Sequence, residues 1–278
     1  MCLYLKDPSK FFCVGIWRNK ELISIGYKHS SMFKLFSRSK PKADKFNFSV
    51  FKTDMHSHLL PGIDDGAKDL DNSIQLIRGM KDLGYQKLIT TPHIIWDMYR
   101  NTPQIINEKL ALIRDAIDQE GIDIAIHAAA EYFLDEHVEE LLRTKEPLLT
   151  ISGNKVLTEF SMAFPSMNIK DILFEMEMQG YQPIIAHPER YIYLQQNKEF
   201  YAELKDIGCM FQLNLLSLTG YYGRSVKDLA EYLVNNDFYD LVGTDLHNFH
   251  YLEGLQQMSM SNTLRKLIES GRLMNAQL

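Results

Sequence analysis

The chain has 278 residues, 45% of them hydrophobic and 24% charged, with 30 Lys and Arg against 36 Asp and Glu for a formal net charge of −6. That apolar share excludes a disordered chain, and the acidic balance excludes a nucleic-acid binder working through bulk positive charge. The three cysteines, Cys2, Cys13 and Cys209, are odd in number and scattered, so a disulfide framework is not expected and a reducing, cytoplasmic setting is.

Residues 1–48 hold no sustained helical or strand period and read as a poorly specified N-terminal extension, with residues 49–278 as a single domain. The apolar run from Phe11 to Trp17 is bounded by Lys10 and Arg18 and falls far short of the roughly 18 residues a membrane-spanning helix needs, so no transmembrane segment is expected. It is also a poor signal peptide, since Asp7 sits in the charged flank and no small-residue cleavage site follows. Met32 opens a basic stretch at 34–45 and is an alternative start.

From residue 49 a regular alternation sets in. Strand-like runs are expected at 50–54, 87–91, 122–130, 155–160, 183–186, 209–214 and 240–244. Helical spacing lies between them, at Leu70, Ile74, Ile77 and Met80; at Ile105, Leu110, Ile113 and Ile117; at Ile169, Leu173 and Met176; at Leu229 and Leu233; and at Leu264, Leu267 and Ile268. Gly84, Gly121, Gly180 and Gly208 each follow a helical run, where a left-handed cap is expected. Seven strand-then-helix units imply an α/β fold with a parallel sheet, and a closed (β/α)7 barrel is the expected form. An open doubly wound sheet is the alternative, disfavoured by the missing glycine-rich turn.

In a parallel barrel the reactive groups stand at the C-terminal strand ends. His56, His58 and Asp64-Asp65-Gly66 follow the first strand and Thr91-Pro92-His93 the second, while Glu131 and Glu159 close the third and fourth. His187-Pro188-Glu189-Arg190, then Asn214, then Asp245 and His247 close the remaining three. Each piece alone is weak: a His-x-His pair is more often packing than a ligand, and a lone Glu is usually a solvated loop residue or cap. Their coincidence is the signal. Five His and four carboxylates converging without a cation would repel and desolvate one another, so a bound metal cluster is expected. Imidazole and carboxylate without thiolate suit Mn²⁺, Fe²⁺ or Zn²⁺ at open sites, and nine ligands suit up to three ions.

Asp54-Met55-His56-Ser57-His58, Asp64-Asp65-Gly66, Thr91-Pro92-His93, Ala130-Glu131, Thr158-Glu159-Phe160, Ala186-His187-Pro188-Glu189-Arg190 and Thr244-Asp245-Leu246-His247-Asn248 resemble the polymerase and histidinol phosphatase (PHP) superfamily. More closely, they resemble its bacterial capsular-polysaccharide tyrosine phosphatases, the CpsB/CapC type. The resemblance spans residues 50 to about 250 and implies a distorted (β/α)7 TIM-like barrel, the PHP fold. It implies a manganese-dependent protein-tyrosine phosphatase, Mg²⁺ being a further possible ion. The substrate implied is a phosphotyrosine protein, a bacterial tyrosine kinase of capsular or exopolysaccharide export.

By the same resemblance His56, His58 and Asp245 hold one ion, and Glu131 bridges to a second and holds the hydroxide between them. The second ion also takes Glu159 and His187, while Asp65, His93 and His247 hold the third. Arg190 matches the family's phosphate-binding arginine. Relatives carry another arginine after the last motif, where this chain reads Asn248-Phe249-His250-Tyr251, so His250 is a candidate substitute. Arg100, on the longest loop with Trp96 and Tyr99, is a candidate for the mouth of the site. The competing reading within the superfamily is a small-molecule phosphoesterase such as a histidinol-phosphate phosphatase. Cysteine chemistry is disfavoured because no Cys-x5-Arg is present; Arg18 follows Cys13 after only four residues.

Overall fold

A computed structural model describes residues 45–164 and 168–278. Cys2, Cys13, Met32, nearly all of the N-terminal extension and all but the end of the basic stretch lie outside the described residues. In chain order the strands are β1 (Thr53–Asp54), β2 (Lys87–Thr90), β3 (His93–Ile94), β4 (Ala125–Ala128), β5 (Glu131–Phe133), β6 (Lys155–Glu159), β7 (Gln182–Ala186), β8 (Met210–Asn214) and β9 (Leu241–Gly243). The α-helices are α1 (Leu70–Leu83), α2 (Pro103–Gln119), α3 (Glu136–Thr144), α4 (Ile169–Met178), α5 (Glu199–Asp206), α6 (Arg224–Asn235), α7 (Phe249–Gln256) and α8 (Asn262–Glu269). No helix among the described residues is long and apolar enough to cross a membrane.

The alternation expected from the sequence is present, and the pairing between these strands is parallel throughout. The strands form two ladders: β1-β2-β4, and β3-β5-β6-β7-β8-β9. The division has a local cause. The expected strand at 87–91 breaks at Thr91-Pro92, where proline offers no N–H to a ladder, and resumes as β3. The expected strand at 122–130 breaks likewise at Ala129-Ala130, with Ala129 N donating to Thr90 O and Glu131 N to Pro92 O. At the other margin a parallel bridge joins Ser57 to Leu246, with His58 N to Leu246 O at 2.9 Å and Asp245 N to His56 O at 2.8 Å. The expected strand at 50–54 is shortened because Phe48–Val50 turns as a 3-10 helix in which Ser49 N–H donates to the Asn47 side chain.

Three helices, α3, α5 and α7, were not legible as periods. Each buries two apolar residues, for example Val138 and Leu142 in α3. Two of their starts are set by polar chemistry: in α3 Asp135 accepts from His137 N and Val138 N, and in α7 Asn248 accepts from His250 N. The four expected glycines all take positive φ; at Gly84, φ 108° lets its N–H return to Lys81 O and Met80 O and close α1.

Two apolar regions hold the strands in place. The larger lies between sheet and helices and draws on residues such as Ile77, Ile113, Leu173, Phe211 and Leu233. A smaller cluster of Met55, Ile89, Leu157, Ile184, Ala186, Met210 and Leu241 forms on the other face of the strands. Met274 and Leu278 pack against it, and Asn275 ties the same segment down through Val242 N, Val242 O and Thr53 O.

Candidate metal centre

The charged residues begin one to four positions beyond the smaller apolar cluster on the same strands: Met55 leads to His56, Leu157 to Glu159, Ala186 to His187 and Leu241 to Asp245. Because strand side chains alternate, His56 and His58 project from the same side of their segment. Their Nε2 atoms come within 3.3 Å of each other. His56 Nδ1 donates to Gln212 Oε1 at 2.8 Å and His58 Nδ1 to Asp64 Oδ2 at 2.8 Å. With the proton committed to Nδ1 on both rings, both Nε2 lone pairs are left for the cluster. His247 follows suit, its Nδ1 donating to Asp245 O at 2.9 Å while Nε2 stands 3.4 Å from Asp65 Oδ1.

Glu131 lies at the centre and is fully buried. Its Oε2 is 3.1 Å from His56 Nε2, 3.4 Å from His58 Nε2 and 3.2 Å from His93 Nδ1, and its Oε1 is 3.2 Å from His187 Nε2. Asp245 Oδ1 meets His56 and His58 Nε2 at 3.3 and 3.4 Å. All nine residues expected as ligands therefore converge. Three groups have donor atoms close enough to share an ion: His56, His58, Glu131 and Asp245; His58, Asp65, His93 and His247; and His93, Glu131 and Glu159. The first matches the expected division. The second adds His58, and the third holds His93 where His187 was expected, because His93 Nδ1 is 3.0 Å from Glu159 Oε1.

The backbone is shaped to this end. His187 and Asp245 take φ of 34° and 52°, in a left-handed region that costs most residues energy and that His and Asp tolerate better than most. Gly66 is required by close approach: a Cβ there would lie 2.2 Å from His58 O. Asp64 fastens the loop, accepting from His93 N and Gly66 N as well as from His58.

The electrostatics are those of charges compressed out of water. Burial alone would lower His56, but Glu131 and Asp245 outweigh it and raise it to about 9. Burial likewise opposes the charge on Glu131 and Asp245, yet the surrounding imidazoles hold both well below the carboxylate range. The bond to His247 brings Asp65 down to about 2. Two observations test whether a cation suits the site. The buried Nδ1 atoms of His93 and His187 make no hydrogen bond, although His93 Nδ1 sits near two carboxylate oxygens. The donor set is imidazole and carboxylate without thiolate, as hard and borderline divalent ions prefer. The residues fit such ions.

Arg190 lies beside the cluster, Nη1 donating to Asp245 Oδ2 at 2.7 Å and the guanidinium 4.8 Å from the Tyr222 ring centroid. Asn214 joins the two, donating to Asp245 Oδ2 and to Tyr222 Oη. A cavity of about 320 Å³ opens over Arg190 and the cluster.

A family model described as "Capsular polysaccharide synthesis, CpsB/CapC" matches residues 52–268. The chain belongs to this family. Among CpsB/CapC relatives it is 30% identical over 208 residues to tyrosine-protein phosphatase YwqE of Bacillus subtilis (strain 168), covering 73% of this chain and 82% of that protein. It is 31% identical over 201 residues to tyrosine-protein phosphatase CpsB of Streptococcus pneumoniae, covering 70% and 82%. A solved structure from work on YwqE of B. subtilis and CpsB of S. pneumoniae, described as metal-dependent tyrosine phosphatases, superposes with a TM-score of 0.68 at 27% identity over 80% of this chain and 94% of that one. The single α/β domain with parallel sheets agrees with that neighbour.

Two candidate substrate contacts of this CpsB/CapC chain stand away from the cavity lining. Arg100 turns back, its Nε donating to Trp96 O at 2.9 Å. His250 sits on the first turn of α7 with its ring 5.3 Å from Tyr221. Sequence reading missed Asp64 and Gln212 as partners of His58 and His56. For Gln212 a signal existed: an amide in the otherwise apolar run Met210-Phe211-Gln212-Leu213.

Proposed function

We propose that this chain is a metal-dependent protein-tyrosine phosphatase that hydrolyses phosphotyrosine on a bacterial tyrosine kinase controlling capsular or exopolysaccharide biosynthesis, in the cytoplasm. The observation that carries the reading is the convergence of eight imidazole and carboxylate side chains within ion-sharing distance, with His187 against Glu131 as a ninth, beside Arg190 at the C-terminal strand ends. The relatives named tyrosine-protein phosphatases support it. In the same reading residues 49–278 are the phosphatase domain, a distorted (β/α)7 barrel of the PHP type, and 1–48 an extension outside it. The Ser57–Leu246 bridge, which pairs the segment after β1 with the segment after β9, supports the barrel form.

His56, His58, Asp245 and Glu131 would hold one divalent ion, Glu131, Glu159 and His187 a second, and Asp65, His93 and His247 a third, with Mn²⁺ the preferred species. When bound, such ions supply positive charge against the phosphoryl oxygens and make water acidic enough to act as a nucleophile near neutral pH. The protein does the rest by positioning. Gln212 and Asp64 keep the Nε2 atoms of His56 and His58 aimed inward. Asp245 and the Tyr222 ring pin Arg190 through one edge and one face, leaving its other N–H groups for phosphate oxygens in the planar fork that suits them. A phenolate, with a solution pKa of about 10, departs with less proton help than an alkoxide, so no dedicated acid is needed. Cys209, the one cysteine among the described residues, is buried and its thiol is pushed up to about 12, which removes it as a nucleophile.

The test is phosphate release from a phosphotyrosine peptide by the purified chain with added Mn²⁺, run beside histidinol phosphate. Mn²⁺-dependent turnover of the peptide is expected, abolished by chelation. A chain that releases no phosphate from any aryl phosphate sinks the proposal, and faster turnover of histidinol phosphate replaces it with the small-molecule reading.

A further inference from the structure

The cavity above the cluster has two kinds of wall. Its floor is ionic: Asp65, His93, Glu159, His187, Arg190, Asp245 and His247. Around the mouth stand apolar and aromatic groups, among them two half-buried tyrosines, Tyr99 and Tyr251, to which the chemistry above gives no task.

Each ring is set behind one histidine of the floor. Tyr99 lies 5.8 Å from His93, centroid to centroid, with the planes 15° apart. Tyr251 lies 5.5 Å from His247 at 35°. His93 and His247 are themselves 5.8 Å apart, and both address Asp65 Oδ1. Two phenol rings are thus carried to the cavity by two imidazoles that converge on one carboxylate.

Both are held there by construction. Tyr99 closes a tight turn, its N–H donating to Ile95 O at 2.7 Å and its C=O accepting from Ile95 N. The strand that starts this turn is anchored by Asn101, whose amide donates to His93 O and Ile63 O. Tyr251 projects from α7 and rests on Tyr221 and Tyr222 at 5.4 and 6.3 Å. Both rings are half-buried and both line the cavity, so part of each surface is open to an occupant.

We infer that Tyr99 and Tyr251 are specificity-determining residues that receive the aryl ring of the substrate, so that the site takes aryl phosphate monoesters in preference to alkyl ones. The inference rests on the phosphatase reading above. With the phosphoryl group drawn down to Arg190 and the cluster, the leaving group must pass the mouth. A phenyl ring there finds aromatic partners in offset or edge contact; an alkyl chain finds none of that directional attraction.

Calorimetric binding of phenylphosphonate and methylphosphonate to the Mn²⁺-loaded full chain tests this without relying on turnover. The wild type is expected to prefer the phenyl compound. Tyr99→Leu and Tyr251→Leu should each lower that preference about three- to tenfold, and Tyr99→Phe and Tyr251→Phe should retain it. The ratio of kcat/KM for a phosphotyrosine peptide over the matching phosphoserine peptide should fall in parallel. An unchanged preference in both Leu variants overturns the inference, as does an equal loss in the Phe variants, which would assign the effect to the hydroxyls. A wild-type chain that hydrolyses no aryl phosphate instead overturns the phosphatase reading itself.

Discussion

The same parallel strands bury two layers of opposite character. One is wholly apolar, Met55, Ile89, Leu157, Ile184 and Leu241, closed over by Met274 and Leu278. A few residues further along each strand lies the other, Glu131, Asp245 and the histidines, buried as well although His93 and His247 edge the cavity. The first layer requires only that volumes fit, and its stability follows from the surface removed from water. The second holds together only while each charge has a partner, because an unpaired buried charge is far more costly than a misfitted methyl group. Stability and reactivity are therefore separated by the length of a few peptide units.

The contrast can be broken at four points, in descending order of effect. Glu131→Gln removes the carboxylate that meets four imidazoles; aryl phosphate turnover with saturating Mn²⁺ should fall on the order of a thousandfold. Retained turnover would remove Glu131 from the centre of the mechanism. Arg190→Ala should lower kcat/KM by about a hundredfold. Inorganic phosphate, tested as an inhibitor, should weaken in step, and unaltered inhibition would mean that the arginine does not touch phosphate. Asp64→Asn leaves the layer charged but loosens the aim of His58; Mn²⁺ affinity by titration should drop about 10- to 100-fold, and a variant that binds as tightly as the wild type would make Asp64 a loop fastener only. Ile184→Val, in the apolar layer, should cost about 0.5–1.5 kcal/mol in denaturant unfolding while kcat stays at the wild-type value. A matching loss of kcat there would show that the two layers are coupled.

Much of the polar layer was legible because its members sit at equivalent positions of a repeated unit, so nine residues far apart in sequence could be read as neighbours. The pairs that orient them were not. Gln212 reaches His56 across 156 positions, and such a bond is written only in the folded register of β8 against β9 and the segment after β1. Asp64 was visible as part of a turn, yet nothing in Asp64-Asp65-Gly66 states which carboxylate faces a ring and which faces the cavity. Strand continuity was overestimated at 87–91 and 122–130, since apolar β-branched character describes burial as well as ladder pairing. The ties made by Asn275 were invisible because a lone amide between Met274 and Ala276 carries no period.

The left-handed backbone at His187 and Asp245 also bears on attempts to alter which ion the site accepts. Lengthening a carboxylate by one methylene is the simplest way to change reach and denticity. At Asp245 that exchange places glutamate in a conformation it adopts less readily than aspartate, so a loss of binding there would mix backbone cost with coordination chemistry. Glu159 and Glu131 lie in β6 and β5, in extended backbone any residue accepts. Shortening those two to aspartate offers the cleaner route to retuning the site, and a library built on this chain is better spent on its strands than on its two strained corners.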